Sequence, residues 1–210
     1  LSYPSIIASG ANATILHYTK NDDEFSKNEM MLMDFGIRWM TMHADITRTF
    51  PISGRFDPMQ KILYEIVLKA QLAVQKKARA GVTIDELNTV CWDRVNQGLE
   101  HEFKAIGGKF KLQYKERPHG VSHLMGEQEH DGDPFRNYAP QPMKPGWMLS
   151  NEPGLYGEFR LNWKGKTYDE KIGIRIEDNL VITSKGCINL SSKIPKTVSQ
   201  IEKLMARRAN

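Results

Sequence analysis

Two amphipathic helix patterns stand back to back in the middle of the chain, and this pair constrains the fold more than any other feature. The motif Asp-Pro-Met-Gln at residues 57–60 and the motif Thr-Ile-Asp-Glu at residues 83–86 each combine a capping side chain with a Gln or Glu three residues later. Gly81 ends the first pattern, and the glycine pair at 107–108 ends the second. Strand-like runs lie on both sides of the pair. This order predicts an α+β fold built on antiparallel sheet.

The remaining elements are expected from local composition. Runs rich in Ile, Leu, Met, Thr and aromatic residues predict strands where Gly, Asn and Pro separate them. A last amphipathic helix is expected to open at Thr197. The proline-rich residues 131–145 predict a long surface loop, and the polar residues 157–171 predict an irregular connection. The expected strands cover residues 5–9, 13–18, 31–38, 40–50, 148–156 and 173–183, and the two central helices cover residues 57–80 and 83–103.

Composition narrows the class of protein. The chain has 210 residues, of which 40% are hydrophobic and 26% charged, and this suits one domain spanning residues 1–210 with an ordinary buried core. No apolar stretch approaches the roughly 20 residues of a membrane span, so no membrane contact is expected. The net charge is only +4 and the basic residues are scattered, which argues against nucleic acid as a partner. Cys91 and Cys187 are too few for a disulfide scaffold, which favours a reducing compartment and a cytoplasmic location.

Four carboxylates stand alone in apolar, strand-like surroundings. They are Asp34, Asp45, Glu152 and Glu177, and the short run at 119–123 adds two histidines. A carboxylate is costly to bury unless it is paired or bound to a metal. The eleven positions that separate Asp34 from Asp45 allow the two to face each other across a hairpin. Glu152 and Glu177 can do the same across a second one.

Each of these residues also has an ordinary explanation when it is taken alone. Asp45 can pair with Arg48, Glu177 can pair with Arg175 on the same strand face, and His123 can be a core histidine with satisfied hydrogen bonds. These separate explanations predict no pattern among the residues. One site does: four carboxylates and one imidazole suit two divalent ions such as Mn²⁺, Mg²⁺ or Co²⁺. Two bridged ions can acidify a shared water and polarise a carbonyl.

Seven short motifs follow one another along the chain in a characteristic order. They lie at residues 16–18, 33–36, 45–51, 119–123, 130–131, 152–156 and 173–178. In this order they resemble the aminopeptidase P and prolidase branch of the pita-bread metallopeptidases. The resemblance runs from about residue 3 to residue 205, which is nearly the whole chain.

The resemblance implies the pita-bread fold, in which two similar halves each place helices ahead of strands. Here the first half begins directly with strands. We therefore expect a catalytic domain that is truncated at its N-terminus and lacks the first helices and the separate N-terminal domain of the family. Apolar side chains such as Ile6, Ile7, Ile15 and Leu32 are then expected to lie bare. That surface predicts a homo-oligomer or a complementary N-terminal segment supplied by another chain.

The resemblance also implies a complete set of metal ligands. By position in the motifs, these are Asp34, Asp45, His123, Glu152 and Glu177. Asp45 and Glu177 are expected to bridge two divalent ions, and Glu152 is expected to act also as general acid and base. Mn²⁺ is the expected cofactor, with Co²⁺ or Zn²⁺ as alternatives.

Further site residues follow from the same resemblance. His17, His119 and His130 are expected to line the substrate side, where they orient the scissile carbonyl and stabilise the tetrahedral intermediate. Tyr156 and Arg175 are expected to lie behind the ligands and to buffer protons near them.

Some positions depart from the family pattern or have no part in it. Leu124 and Met125 follow the ligand histidine where the family usually has an aromatic residue. The run His-Asp-Gly-Asp at 130–133 replaces the usual His-Asp-Val-Gly. His43 and His101 match no functional histidine of the family, so we expect them to be structural or exposed.

The details of the motifs favour aminopeptidase P over prolidase. They are the run Asp-Ile-Thr-Arg-Thr-Phe-Pro at 45–51, the pair at 122–123 and the tail at 195–205. The implied function is a metal-dependent X-Pro aminopeptidase, a hydrolase that cuts between the first residue of a peptide and a following proline. Three alternatives stay open: an X-Pro dipeptidase (prolidase), an inactive fragment, and a non-catalytic pita-bread module that binds peptide or protein.

Overall fold

The computed structural model describes residues 1–115 and 117–207. Three helices and twelve strands lie within this part of the chain. The helices are α1 (Pro58–Lys77), α2 (Ile84–Gly98) and α3 (Val198–Met205). The strands are β1 (Ile6–Ser9), β2 (Met30–Phe35), β3 (Arg38–Trp39), β4 (Met42–His43), β5 (Ile46–Pro51), β6 (Lys109–Leu112), β7 (Leu124–Met125), β8 (Met148–Asn151), β9 (Gly154–Trp163), β10 (Lys166–Arg175), β11 (Asp178–Ile182) and β12 (Cys187–Asn189).

The helices begin where their capping signals predict. Asp57 accepts a hydrogen bond from the backbone N–H of Gln60 at 2.8 Å, and the Gln60 side chain accepts one from the N–H of Asp57 at 3.2 Å. Thr83 opens α2, and Thr197 opens α3, with the same reciprocal pair of bonds. Each such cap contributes about 1 kcal/mol to helix stability. None of the described helices is long and apolar enough to cross a bilayer.

Antiparallel pairing organises the strands into four sheets. A three-stranded sheet has the order β1-β2-β5, a second has the order β10-β9-β6, and a four-stranded sheet has the order β12-β11-β8-β7. The short strands β3 and β4 form a separate hairpin. In the register of the first sheet Asp34 stands opposite Thr47, and in the four-stranded sheet Asn151 stands opposite Asp178. Asn151 directly precedes Glu152, and Asp178 directly follows Glu177. This register therefore places the two strand ends next to Glu152 and Glu177 side by side.

The apolar core is divided unequally. Helices α1 and α2 pack against each other and against the second and third sheets in one large cluster, which includes the fully buried Leu63 and Phe159. The sheet β1-β2-β5 contributes to a second, small cluster. Its buried members are Ile6, Ala8, Ala13, Tyr18, Leu32 and Tyr156.

Arg48 fastens the first sheet to the turn between β10 and β11. Its guanidinium donates to the carbonyl oxygens of Thr47 and Glu177, and to Asp178 Oδ1 at 2.7 Å. The other oxygen of Asp178 accepts from Lys196 Nζ at 2.5 Å. Arg48 therefore does not pair with Asp45, and that ordinary explanation for Asp45 was wrong.

Three predicted segments have a different structure. Residues 13–18 are not a strand: a 3₁₀ turn covers Gly10–Thr14. This turn packs directly on β10, where a Cβ at Gly173 would meet the Ala13 carbonyl oxygen at 1.9 Å. Residues 40–50 are not continuous either, because Met40 has a φ of 53° and turns the chain between β3 and β4.

The prediction of an irregular connection at residues 157–171 was also wrong. These residues belong to the long hairpin β9–β10, which turns at Lys164 and Gly165 with φ of 49° and 79°. Phe159 and Leu161 face the core, whereas Glu158, Arg160 and Asn162 face water. The many polar residues of the outer face made the alternation of apolar and polar side chains, which is expected of a half-buried strand, difficult to recognise.

The prediction of bare apolar residues holds for one of its four examples. Ile15 is 51% exposed, but Ile6 and Leu32 are buried, and Ile7 is half-buried. The reason is that the first sheet folds its inner face onto the 3₁₀ turn and Tyr18. Exposed apolar side chains instead concentrate on the hairpin at residues 35–42, where Trp39 is 75% and Met40 82% exposed.

Candidate metal centre

The five expected ligands lie at the ends of five different elements and meet in one place. Each belongs to a strand end or to a turn beside one, and all five line a single cavity of about 640 Å³. They are Asp34 in β2, Asp45 before β5, His123 before β7, Glu152 between β8 and β9, and Glu177 between β10 and β11. Both sequence halves thus contribute to one site.

His123 has one ring nitrogen committed to the backbone and one facing the carboxylates. Its Nδ1 lies 3.1 Å from the carbonyl oxygen of Leu124, so this nitrogen carries the proton. Its Nε2 lies 3.6 Å from Asp45 Oδ2 and 3.4 Å from Glu152 Oε1. One donor atom each of Asp45, His123 and Glu177 lie within 4.8 Å of one another. A single cation can therefore contact all three.

The two aspartates are held by donors from outside the ligand set. The Tyr3 hydroxyl donates to Asp34 Oδ1 at 2.6 Å and also to Asp45 Oδ1. Arg175 Nη2 donates to Asp34 Oδ2 at 2.5 Å. Burial and the two aspartate charges raise the pKa of Tyr3, so its hydroxyl stays protonated and acts as a donor.

The electrostatics of the two aspartates differ. Burial raises the pKa of Asp34, and the lowering effect of the Arg175 charge does not overcome it. Burial also acts on Asp45, but the nearby His123 and the Tyr3 hydroxyl outweigh it, so the pKa of Asp45 lies below its ordinary value. Asp34 is inside a strand and paired with Arg175.

Glu177 has an oxygen without a partner. Its Oε2 accepts from Thr47 Oγ1 at 2.8 Å, whereas its buried Oε1 has no hydrogen-bond partner among the described residues. Burial raises the pKa of Glu177 well above its ordinary value, and the negative charges of Asp45 and Glu152 add to that shift. The Arg175 side chain points to Asp34 instead, so Glu177 and Arg175 are not the exposed pair of the ordinary explanation.

Glu152 stands between His123 and the cavity. Ser150 Oγ donates to Glu152 Oε1 at 3.1 Å and accepts from the backbone N–H of His123 at 3.0 Å, so one hydroxyl links the two ligands. Burial raises the pKa of Glu152 to about 7. A carboxyl group with that pKa can both accept and donate a proton near neutral pH.

The donor set fits two hard divalent cations. Four carboxylates share one largely buried site, where they disfavour one another's charge, and Glu177 Oε1 has no donor among the residues that the structure describes. Positive charge placed among them satisfies both conditions. Carboxylate oxygens with a single imidazole suit Mn²⁺ or Co²⁺, whereas a structural zinc site usually has more Cys or His ligands.

His119, Tyr156 and Arg175 form a chain of hydrogen bonds beside the ligands, and His119 and Arg175 also line the cavity. Arg175 Nη1 donates to the Tyr156 hydroxyl at 3.0 Å, which lies 3.1 Å from His119 Nε2. His119 Nδ1 lies 2.9 Å from the Gly120 carbonyl oxygen. Burial and the nearby Arg175 charge lower the pKa of His119 to about 4, and burial raises the pKa of Tyr156 to about 12. His119 is therefore neutral and both of its ring nitrogens are engaged.

The other histidines are distributed as follows. His17 and His130 line the cavity, and the His130 ring centroid lies 4.2 Å from that of His123. Partial burial and the charge of His123 lower the pKa of His130 to about 4. His43 pairs with Ser2 Oγ at 2.8 Å outside the cavity, and His101 is exposed on the short π-helix Leu99–Phe103 that follows α2.

Several supporting residues had no recognisable pattern in the sequence. Tyr3 is a lone aromatic before a proline, and Ser150 is a lone hydroxyl in a strand. Asn179 exchanges two hydrogen bonds with the backbone of Asp45, at 2.5 and 3.2 Å. The only available signal was position, because Ser150 lies two residues before Glu152 and Asn179 lies two residues after Glu177.

Comparison with known proteins gives one consistent picture. The sequence model of metallopeptidase family M24 matches residues 1–184. The Xaa-Pro aminopeptidase of Haemophilus influenzae is 34% identical over 214 aligned residues, which cover 97% of this chain and 48% of that protein. The Xaa-Pro aminopeptidase of Escherichia coli is 36% identical over 213 residues, covering 97% of this chain and 47% of that protein.

A solved structure agrees with these relatives. Zinc-substituted E. coli aminopeptidase P in complex with product matches with a TM-score of 0.81 at 32% identity, over 99% of this chain and 48% of that one. The expected pita-bread fold is thereby confirmed. The chain spans about half the length of the relatives it matches.

Proposed function

Because the chain belongs to metallopeptidase family M24, we propose that it carries the catalytic site of a metal-dependent X-Pro aminopeptidase. The reaction is hydrolysis of the peptide bond between an N-terminal residue and a following proline. One observation carries the proposal: donor atoms of Asp45, His123 and Glu177 converge within 4.8 Å, and Glu177 Oε1 still has no partner among the described residues.

Five side chains hold the metal in this proposal. Asp34, Asp45, His123, Glu152 and Glu177 would hold two divalent cations. We propose Mn²⁺ as the native ion because four of the five ligands are hard carboxylates. When bound, the cations supply the positive charge that polarises a peptide carbonyl and favours the hydroxide form of water.

Glu152 has the proton-transfer role. Ser150 fixes its Oε1, while its Oε2 lies 3.7 Å from His119 Nδ1 and makes no close hydrogen bond within residues 1–115 and 117–207. We assign to Glu152 the acceptance of a proton from the attacking water and its delivery to the proline nitrogen that leaves. The X-Pro bond is a tertiary amide, so its nitrogen must gain this proton before it can leave as a secondary amine.

The histidines and the chain behind them orient the substrate and the ligands. His17 and His130 line the cavity wall, from which an imidazole N–H can donate to the substrate carbonyl as negative charge develops there. Both nitrogens of His119 are engaged within the protein, so its contribution is to hold Tyr156 in place. Tyr156 and Arg175 in turn fix Asp34 and balance its charge.

A metal titration tests the proposal. Protein stripped with a chelator receives Mn²⁺, Co²⁺ or Zn²⁺ and is offered an X-Pro peptide, an X-Pro dipeptide and a peptide with alanine in place of proline. We expect turnover of the X-Pro peptide, largest with Mn²⁺, and little turnover of the other two. Metal binding without hydrolysis of any X-Pro substrate would contradict the proposal. Preference for the dipeptide would indicate a prolidase.

Two finer predictions accompany this function. Association with a second copy or a complementary segment is supported by the exposed apolar hairpin at residues 35–42. Sedimentation showing a monomer of 24.0 kDa would contradict it. A cytoplasmic location is supported by the two cysteines, which are both free in the structure.

A further inference from the structure

The segment that brings His17 to the cavity has no regular secondary structure. Residues 15–29 connect the 3₁₀ turn to β2 by turns and irregular backbone only. His17 lines the cavity from this segment, and its exposed side chain has none of the core packing that holds His123. The position of His17 therefore depends on what anchors its neighbours.

Two neighbours of His17 are anchored on the first sheet. The Tyr18 ring is buried in the small cluster beside Ile6 and Leu32. Farther along, the Asn21 side chain makes two hydrogen bonds to the backbone of β1 and the residue before it. Its Oδ1 accepts from the Ile7 N–H at 2.7 Å, and its Nδ2 donates to the Ser5 carbonyl oxygen at 2.8 Å.

The Asn21 amide takes the place of a neighbouring strand. β1 is the edge of the order β1-β2-β5, so one side of its backbone lacks a strand partner. A carboxamide presents the same donor and acceptor as a peptide group, and Asn21 uses both on Ser5 and Ile7. These two bonds fix the position of the segment along β1. The Tyr18 ring alone does not fix it, because an apolar ring contact is not directional as a hydrogen bond is.

The backbone of Asn21 supports a specific role. Its φ is 52°, in the left-handed region, which is unfavourable for most residues other than glycine. Asn is among the residues that tolerate this region best. Such conformations persist where the surroundings enforce them, and they cluster at functional sites. Here the two bonds to β1 are the contacts that enforce it.

We propose that Asn21 is a positioning residue that holds His17 in the cavity wall by pinning the segment at residues 17–21 to the open edge of β1. The proposal rests on the proposed function, since it gives His17 the task of meeting the substrate carbonyl. It concerns the placement of a donor and leaves the five ligands untouched. The expected consequence of losing Asn21 is weaker stabilisation of the transition state at unchanged metal content.

Kinetics with matched variants test the proposal first. Asn21→Gly keeps a backbone that adopts positive φ but removes both bonds, and Asn21→Asp keeps the acceptor but removes the donor. Asn12→Ala is the control, because Asn12 bonds Asp23 of the same segment at 2.6 Å without bonding β1. We expect kcat/KM for an X-Pro peptide to fall about 10- to 100-fold in Asn21→Gly and less in Asn21→Asp. Asn12→Ala is expected to stay within about twofold.

A double variant separates positioning from general stability. If Asn21 acts through His17, Asn21→Gly costs little further in a His17→Ala background. If instead the two losses multiply, Asn21 does not act through His17 and the proposal is overturned. Metal content measured by elemental analysis is expected to equal that of the parent protein in every variant.

NMR decides the proposal even if the parent chain proves inactive. In Asn21→Gly we expect the ring signals of His17 to shift or broaden, and the Ile7 amide to exchange faster with solvent. The ring signals of His119 and His123 are expected to stay in place. A His17 signal identical to that of the parent protein would overturn the proposal. Failure of the proposed function would appear separately, as absent turnover in the parent protein with every metal.

Discussion

The two regions that supply metal ligands differ in what holds those ligands in place. Glu152 and Glu177 lie at the ends of strands that pack on the large core under α1 and α2. Asp34 and Asp45 belong to a three-stranded sheet whose own cluster has six buried residues, two of them alanines. Apolar packing therefore fixes Glu152 and Glu177, in the second region along the chain, more firmly than Asp34 and Asp45, in the first region.

Polar contacts compensate in the first region. Tyr3 donates to both aspartates, Arg175 donates to Asp34, and Asn179 holds the backbone of Asp45. The difference teaches that one site can rest on two kinds of support. Apolar substitutions should disturb one region most, and loss of single hydroxyl or amide groups should disturb the other.

Replacing one ligand from each region gives the largest expected effect. We expect Asp45→Asn and Glu177→Gln each to abolish turnover and to lower the amount of bound metal, because a neutral amide binds hard cations more weakly than a carboxylate. Activity assays and elemental analysis of the purified variants measure the two effects. Asp169→Asn on the exposed face of β10 is the control and should retain both properties.

The melting temperatures of the same two variants, measured in metal-free protein, compare the two regions further. The neighbouring carboxylates disfavour a negative charge on Glu177, so Glu177→Gln should raise the melting temperature. The folded protein favours the negative charge on Asp45, so Asp45→Asn should lower it. Unchanged metal content in both variants would refute the assignment of these residues as bridging ligands.

Substitution of one leucine in each core is the next largest effect. Leu63 in α1 and Leu32 in β2 are both almost fully buried. We expect Leu63→Ala to lower the free energy of unfolding by about 3–5 kcal/mol and Leu32→Ala by about 2–3 kcal/mol, because a cavity in the thinner cluster collapses more easily. Urea denaturation measures both values.

Amide exchange locates the damage from the leucine substitutions. Leu32→Ala should speed exchange mainly in β1 and β2, while Leu63→Ala should speed it throughout the chain. Equal losses of stability with the same exchange pattern would mean that the two regions share one cooperative core, and the comparison would fail.

Local signals in the sequence were sufficient for part of the fold. The helices were predictable because the capping residues at Asp57, Thr83 and Thr197 act within four residues of themselves. The hairpin β9–β10 was missed because its outer face is polar. The strand predicted at residues 13–18 was wrong because contact with Gly173 decides the path of the chain there.

The candidate site divides in the same way. Its acidic residues attracted notice because a carboxylate in an apolar strand needs a partner. The supports of those residues did not, since a lone Tyr3 or Asn179 is unremarkable until the fold brings it to its partner. Asn179 and Asp45, for example, are 134 positions apart. Long-range contacts of this kind leave no local pattern.

One hydroxyl from each region gives a smaller effect than the ligands themselves. Tyr3→Phe removes the donor to both aspartates, and Ser150→Ala removes the link between Glu152 and His123. Loss of a group that orients metal ligands typically costs about 10- to 100-fold in metal affinity. We expect Tyr3→Phe to lie near the upper end of this range and Ser150→Ala near the lower end, measured by metal titration calorimetry.

Tyr114→Phe is the control for the hydroxyl pair. Its hydroxyl donates to the Thr14 carbonyl oxygen at 3.1 Å, away from the ligands, so metal affinity should not change. If Ser150→Ala lowers metal affinity more than Tyr3→Phe does, the second region depends on polar contacts more than the first. That result would reverse the comparison between the two regions.

The smallest expected effect lies at the junction of the two regions. Gln60 Nε2, at the start of α1, donates to Glu170 Oε2 of β10 at 3.0 Å and to the Asn28 carbonyl oxygen at 2.9 Å. Burial raises the pKa of Glu170 from its ordinary value of 4.5 to about 7, and the nearby carboxylates of Asp57 and Glu29 add to the shift. The folded chain thus keeps a proton there that the unfolded chain has lost.

This proton makes stability depend on pH in a defined direction. The contribution of Glu170 is complete below pH 4.5, declines as the pH rises through about 7, and is absent above that. Glu170→Gln keeps a neutral side chain at every pH, so it should stabilise the protein at pH 8 relative to the parent by about 1–2 kcal/mol and change little at pH 4.5. Urea denaturation of metal-free protein at both pH values measures this, with the exposed Glu158→Gln as control. If Glu170→Gln is no more stable than the parent at pH 8, the carboxyl is solvated in the folded state and the two regions are not sealed against each other at this junction.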